Sequence, residues 1–394
     1  MTRSSHPTST RLAMRASIAI LALALASLSA PLLAQKATPQ YKGVWEPVSY
    51  SEDIELRDVF FVNADVGWVV GDAGTILHTK DGGATWTAQL GGDPANKADP
   101  VTLVRFVDER TGWAKQRDKL LHTSDGEAWE EIGTLPARDA VDLAFTSRTD
   151  GFAAGKSDYG SQQGTNIISR TRDGGRTWKP VYTCTAKVML DGLARALGCS
   201  VLEFHFPTPM VGYAVTKQTC MGAGCEPPPL ITKTEDGGET WRTMAGPGVV
   251  DKDRVTTLFF LDENKGFARL ESGKLHATTD GGATWRGVVA SLGKWLRFAD
   301  PTVGWSYDCC GNKATLGYST DGGARWNARE VRFPAEVNAI SFPRRDRAFA
   351  VGEHGMIYRY RVVPASHSLK ANDIAAPAMP GLAPKVAAPP EARP

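Results

Sequence analysis

The chain has 394 residues, with 45 Lys and Arg against 43 Asp and Glu and a formal net charge of +2. So small an excess excludes a nucleic-acid binder that works by bulk charge. Beyond the first 34 residues no apolar stretch is long enough to span a bilayer.

Arg11 and Arg15 precede an apolar, Ala- and Leu-rich run from Ala16 to Ala34. This pattern predicts a signal peptide over residues 1–34, cut after Ala34 or Ala30, and hence a periplasmic or secreted protein. A retained membrane anchor is the alternative, because the run barely reaches spanning length. Removing the leader takes away Arg3, Arg11 and Arg15 and leaves the rest near neutral.

Gly43-Val44-Trp45-Glu46-Pro47-Val48 then reads as a single strand with no partner before it. After it the same phrase recurs seven times. A first strand ends in Phe: Phe61, Phe106, Phe145, Phe206, Phe260, Phe298 and Phe342. After a short turn, a second strand opens with Gly and an aromatic: Gly67-Trp68, Gly112-Trp113, Gly151-Phe152, Gly212-Tyr213, Gly266-Phe267 and Gly304-Trp305. The seventh copy keeps Ala348-Phe349. A third strand leads into Ser/Thr-x-Asp-Gly-Gly-x-Thr-Trp, and a fourth begins at its Trp. The Asp and Trp pairs are Asp81 and Trp86, Asp125 and Trp129 (in a shortened copy), Asp173 and Trp178, Asp236 and Trp241, Asp280 and Trp285, and Asp321 and Trp326.

Asp-Gly and Gly-Gly are hairpin signals, because Gly accepts positive φ without steric cost. The Asp carboxylate can take backbone N–H bonds, the Ser/Thr hydroxyl can add a local bond, and the Trp buries a large ring. That structural role accounts for every fixed position, so no chemistry is assigned to the six Asp residues. Four short strands per repeat, at a spacing of about forty residues, predict an all-β, seven-bladed β-propeller over residues 42–361. The seventh repeat ends without an Asp turn. The N-terminal strand is therefore expected to complete the last blade and close the ring, which removes an exposed edge.

Extra residues at Cys184 to Cys199 and at Gln218 to Pro229 should form loops on one face, opposite the Asp turns. Six cysteines suit an exported protein. The disulfide candidates are Cys184 with Cys199 and Cys220 with Cys225, each closing a local loop. Cys309 and Cys310 are adjacent, and form a vicinal disulfide, stay free or pair at longer range. No Cys/His set has metal-ligand spacing, and no cofactor motif is present: the Gly pairs lack the strand-to-helix context of a phosphate loop. Residues 364–394 are Ala/Pro-rich and are expected to be a disordered tail.

The Asp turn resembles the Asp-box, or BNR repeat, of sialidases and other propellers. The longer phrase from Val66 to Trp86 resembles the photosystem II stability and assembly factor family. That resemblance covers nearly all of residues 42–361. It implies an exported seven-bladed propeller that acts as an assembly scaffold.

Two function classes follow. The first is a non-enzymatic binding scaffold, a monomer without nucleic acid, whose partner is a protein or peptide such as an envelope or membrane protein. Its candidate contacts lie on the first strands and their entry loops: Arg57, Arg105, His205, Arg254, Lys294 and Arg297. Such arginines can grip a carboxylate, or can instead pair with Asp58, Asp142 and Glu203. The second is a sialidase-like or glucan-hydrolysing enzyme, or a propeller that binds glycans, which would use those same carboxylates. Redox work by Cys309 and Cys310 would rest on adjacency alone, without Cys-x-x-Cys spacing. Arg344-Arg345-Asp346-Arg347 reads as a solvated basic loop.

Overall fold

The computed structural model describes residues 41–376, apart from 49, 137–139, 141, 156–164, 185, 191–192, 220–229, 245, 248–252, 292, 294 and 311–312. It also leaves out the side chains of 165–167, 184–200, 217–219, 230, 289–291, 309–310, 313–314 and 376. All six cysteine side chains therefore lie outside the described residues, as do the expected leader and the insertion at 220–229.

The described residues form seven antiparallel sheets and no helix: a seven-bladed β-propeller. Blade one shows the plan, with strands Leu56–Phe61, Gly67–Gly71, Thr75–Thr79 and Thr87–Leu90. The first strands of blades two to seven are Val101–Phe106, Asp142–Phe145, Leu193–His205, Val255–Phe260, Trp295–Phe298 and Val337–Arg344.

The repeated aromatics hold the blades to one another. Each aromatic that opens a second strand lies flat on the Phe that ends the next blade's first strand. Trp68 stacks on Phe106, Trp113 on Phe145, Phe152 on Phe206 and Tyr213 on Phe260. Phe267 stacks on Phe298, Trp305 on Phe342 and Phe349 on Phe61. The Gly before each aromatic makes room for the Phe of its own blade: a Cβ at Gly67 would come within 2.5 Å of the Phe61 ring. The same clash would arise at Gly112, Gly151, Gly212, Gly266 and Gly304. Blade seven carries Ala348 there, and its first strand bulges between Ser341 and Arg344.

The Asp boxes are structural hairpins. Asp81 Oδ1 accepts from Thr85 N and Thr79 Oγ1, both at 2.9 Å, and Oδ2 accepts from Thr85 Oγ1 at 2.6 Å. Thr79 Oγ1 in turn accepts from Gly83 N at 2.9 Å. Gly82 and Gly83 have φ of 66° and 71°, the left-handed region that favours glycine. The box Trp meets the blade's own Phe edge-on, as in Phe61–Trp86, 6.0 Å and 87°. Phe106–Trp129, Phe145–Trp178, Phe206–Trp241, Phe260–Trp285 and Phe298–Trp326 repeat that contact. The box also bonds to the first turn of its blade, Gly82 N to Asp65 O at 2.9 Å, so both turns share one end of the ring.

Blade seven closes as its sequence implies. Its strands are Val337–Arg344, Arg347–Gly352, Ile357–Pro364 and the N-terminal Tyr41–Pro47, in register from Tyr41↔Pro364 to Pro47↔Tyr358. A fifth strand, Ile374–Ala376, adds outside it through Gly43↔Ala376 and Trp45↔Ile374. The expected tail therefore starts too early. The chain leaves the ring at Pro364 and returns to cover the edge of the closing strand; residues 377–394 lie outside the described set. The basic loop is corrected too. Arg344 and Arg345 are exposed, but Arg347 opens a strand and is half-buried.

In blade four a short strand, Ala186–Leu190, pairs with the start of Leu193–His205, and Cys199 lies opposite Gln218. The roots of both insertions thus run side by side. First strands start at the end opposite the boxes, so this extension belongs to that end.

Candidate functional site

Side chains alternate along a strand, so residues two apart share a face. In each first strand one set is buried between blades, as with Val59 and Phe61. The other set faces the axis and, in every blade but the fifth, lines a channel of ≈ 720 Å³. Two layers result. Phe60, Arg105, Ala144, His205, Arg297 and Ser341 form the layer nearer the boxes. Asp58, Leu103, Asp142, Glu203, Trp295 and Ala339 form the next layer outward.

The arginines are held by the carboxylates of the adjoining layer. Arg105 donates to Asp58 Oδ2 at 2.7 Å and to Asp142 Oδ1 at 2.9 Å, tying blade two to both its neighbours. Asp58 also accepts from Val104 N at 3.1 Å and Val59 N at 2.9 Å. Burial raises the Asp58 pKa against the opposing pull of Arg105. Burial also works against the charge on Arg105, but Asp58 and Asp142 outweigh it and its pKa is raised.

Across the channel Arg297 Nη1 donates to Glu203 Oε1 at 3.2 Å. Its guanidinium lies 5.8 Å from the Phe259 ring centroid and 5.9 Å from that of Trp295. Burial pushes the Glu203 carboxyl up to about 6, with Arg297 opposing. His205 donates from Nε2 to Phe260 O at 2.8 Å, and burial lowers it to about 4, so it is neutral near pH 7.

The singled-out residues therefore divide. Arg57, Arg105, His205 and Arg297 line the channel together. Arg57 pairs with Asp72 and, at 3.1 Å, with Glu55. Arg254 precedes its strand, is not among the channel-lining residues, and lies 3.7 Å from Glu271 of its own blade. Lys294 is outside the described residues. The three guanidiniums that line the channel are all paired with carboxylates, so this is no free basic grip.

Trp295 and Leu202 were missed by sequence reasoning. They are 47% and 41% exposed, and both line the channel. Trp295 could have been found by the alternation, two residues before Arg297. Among the described residues no group of His, Cys, Asp and Glu could hold a metal ion.

The profile of a family described as "Photosynthesis system II assembly factor YCF48" matches residues 37–138. The photosystem II assembly lipoprotein Ycf48 of Synechococcus sp. (strain CC9902) is 24% identical over 331 residues, 80% of this chain and 88% of that protein. A solved structure of YCF48 bound to D1 peptide superposes with a TM-score of 0.56 at 20% identity, over 80% of this chain and 96% of that one. The GH74 xyloglucanase from Xanthomonas campestris gives 0.54 at 16% identity, over 85% of this chain and 55% of the enzyme, a likeness of fold alone. With the family's profile on its first blades and similar proteins spanning the ring, the chain is similar to the photosystem II stability/assembly factor family.

Proposed function

We propose that this protein is an exported, non-enzymatic scaffold that binds a segment of a protein partner at the channel mouth opposite the Asp boxes. The carrying observation is the pair Trp295 and Leu202, two large apolar side chains left exposed in a concave site. Exposed aromatics in a concavity are the usual anchors of recognition. Arg297, 41% exposed, stands beside Trp295 and supplies a directional donor. Arg105 is a positioning residue here, since both its acid partners are internal. The relative solved with a D1 peptide supports a peptide ligand, and the name lipoprotein supports export and an envelope or membrane setting.

Glu203 favours a second reading, a glycoside hydrolase or a propeller that binds glycans. A carboxyl with its pKa near 6 suits a general acid. Such an enzyme needs a second free carboxylate across the bond, and Asp58 and Asp142 are both engaged by Arg105.

The test is crosslinking in the native envelope, with a photoreactive residue in place of Trp295 and, as control, in place of exposed Thr87. The reading expects a discrete protein adduct from position 295 and none from 87. No adduct from 295, with release of sugar from a glycan that Glu203→Gln abolishes, would replace the scaffold by the enzyme.

A further inference from the structure

The seam between blades seven and one, at the Asp-box end, carries more positive charge than its surroundings balance. Arg347 lies directly opposite Arg361 across the blade-seven ladder, and Arg359 lies opposite Phe349 on the same face. Opposed residues in a sheet stand about 5 Å apart at Cβ, where like charges destabilise each other. Glu46 of the N-terminal strand serves both Arg359, at 3.3 Å, and Arg361, at 2.9 Å. Among the described residues the Arg347 side chain has neither a hydrogen bond nor an ion pair, and its Nε is buried. Asp346 pairs with Arg344, and Asp300 with Arg345 at 2.8 Å. A Cβ on Gly82 would come within 3.3 Å of Arg347 Nη1 and 3.4 Å of Asp65 Oδ1, and among the described residues Asp65 forms no ion pair with these arginines. Burial, then the neighbouring charges of Arg344, Arg359 and Arg361, lower the Arg347 pKa.

Blade three shows the same register with the charges balanced. Phe152 lies opposite Arg170, as Phe349 lies opposite Arg359. At the position of Arg347 blade three has Asp150, which Arg170 holds at 3.0 Å. The next blade's Asp box adds Glu239, which takes both Arg170, at 2.7 Å, and Arg172. At the position of Glu239, blade one has Ala84. Two acids thus serve two arginines at one seam, while at the other Glu46 serves two and, among the described residues, the Arg347 side chain is left without an ion pair.

We propose that this seam is an oxyanion-binding site, in which Arg347 and Arg361 hold a carboxylate or phosphate group above Gly82, in place of the internal acids of blade three. Guanidinium forks match both anions, and half-burial strengthens the contact. Arg361 keeps 38% of its side chain exposed, so the ligand can reach the pair from solvent. The site lies at the opposite end of the ring from the channel mouth and does not depend on it.

The test is thermal unfolding of the full chain in inorganic phosphate, with ionic strength held constant by chloride. A second arm uses an Asp/Glu-rich peptide beside its Asn/Gln counterpart. The wild type should melt higher in phosphate, in the acidic peptide, or in both, and the arm that responds assigns the source of the anion. Arg347→Asp should melt no lower than the wild type in chloride, because it recreates the pair of Asp150 with Arg170. It should also need at least about tenfold more anion for the same rise. Arg332→Ala, which removes an exposed arginine paired with Glu330 elsewhere, should respond as the wild type does. If Arg347→Asp does not fold, Arg347→Gln is read for the same loss. An equal response in the Arg347 variant, or no wild-type response to either anion, overturns the site.

Discussion

Phe349 of blade seven lies flat on Phe61 of blade one, ring centroids 3.8 Å apart and planes 7° from parallel. It is the last of seven such stacks, and the one that joins the two ends of the propeller sequence. Phe349 is fully buried, and a Cβ on Gly83 of the blade-one box would come within 2.5 Å of its ring. Phe349→Ala therefore opens a cavity at the closure, and should cost about 3–5 kcal/mol. Thermal unfolding checks this, with Phe349→Leu expected to recover most of the loss.

Deleting residues 36–49 removes the closing strand, whose Trp45 is fully buried against Phe333 and Tyr360. Blade seven would then lose the partner of Ile357–Pro364 and the strand that carries Ile374–Ala376. The whole ring should lose stability, not that blade alone. An unchanged melting temperature would refute closure by the N-terminal strand.

Asp81→Ala leaves Thr85 N and two hydroxyls without their acceptor. Because Thr85 is exposed, water can replace part of this, and the expected loss is about 1–2 kcal/mol. The bonds from Thr85 and Thr79, acting against burial, hold the Asp81 pKa to about 2, below its ordinary 3.8. Its contribution is thus complete above about pH 4 and lost as pH falls through about 2. A pH series of wild type against Asp81→Ala should converge at the acid end, while partner binding of the folded variant is unchanged.

Glu203 has the opposite sign. Its native pKa, about 6, lies above the ordinary 4.5, so the folded state binds the proton more tightly. Stability from this group is greatest below about pH 4.5 and falls until about pH 6, by on the order of 2 kcal/mol. Glu203→Gln removes the titration. The difference between wild type and variant should therefore swing against the wild type over that window, and a flat difference would contradict the burial argument.

The ring was legible because a repeat states local geometry many times over. Phe61, Gly67, Trp68, Asp81 and Trp86 each meet neighbours in the same or the next blade, and their recurrence reports those contacts. The channel was legible only in part. Alternation puts Arg105 and Arg297 at the axis, but not which acid each meets: Asp58 lies 47 residues from Arg105, and Glu203 lies 94 from Arg297. Arg254 stands one residue before Val255–Phe260, where the alternation no longer applies. Trp45 takes the register position of a box Trp, since Glu46 faces Arg359 as Thr87 faces His78. Without a box before it, sequence could not mark it as one. The strand Ile374–Ala376 was hidden by its Ala/Pro-rich context: its pairing is a matter of backbone, which composition does not report.

The most direct test of the central claim is hydrogen exchange on the full chain, alone and with the protein captured from position 295. Binding at the channel mouth predicts new protection over residues 202–205 and 295–298, lost in Trp295→Ala, with no change at the Asp-box hairpins. Protection confined to the box end, or none in the presence of a bound partner, would contradict it.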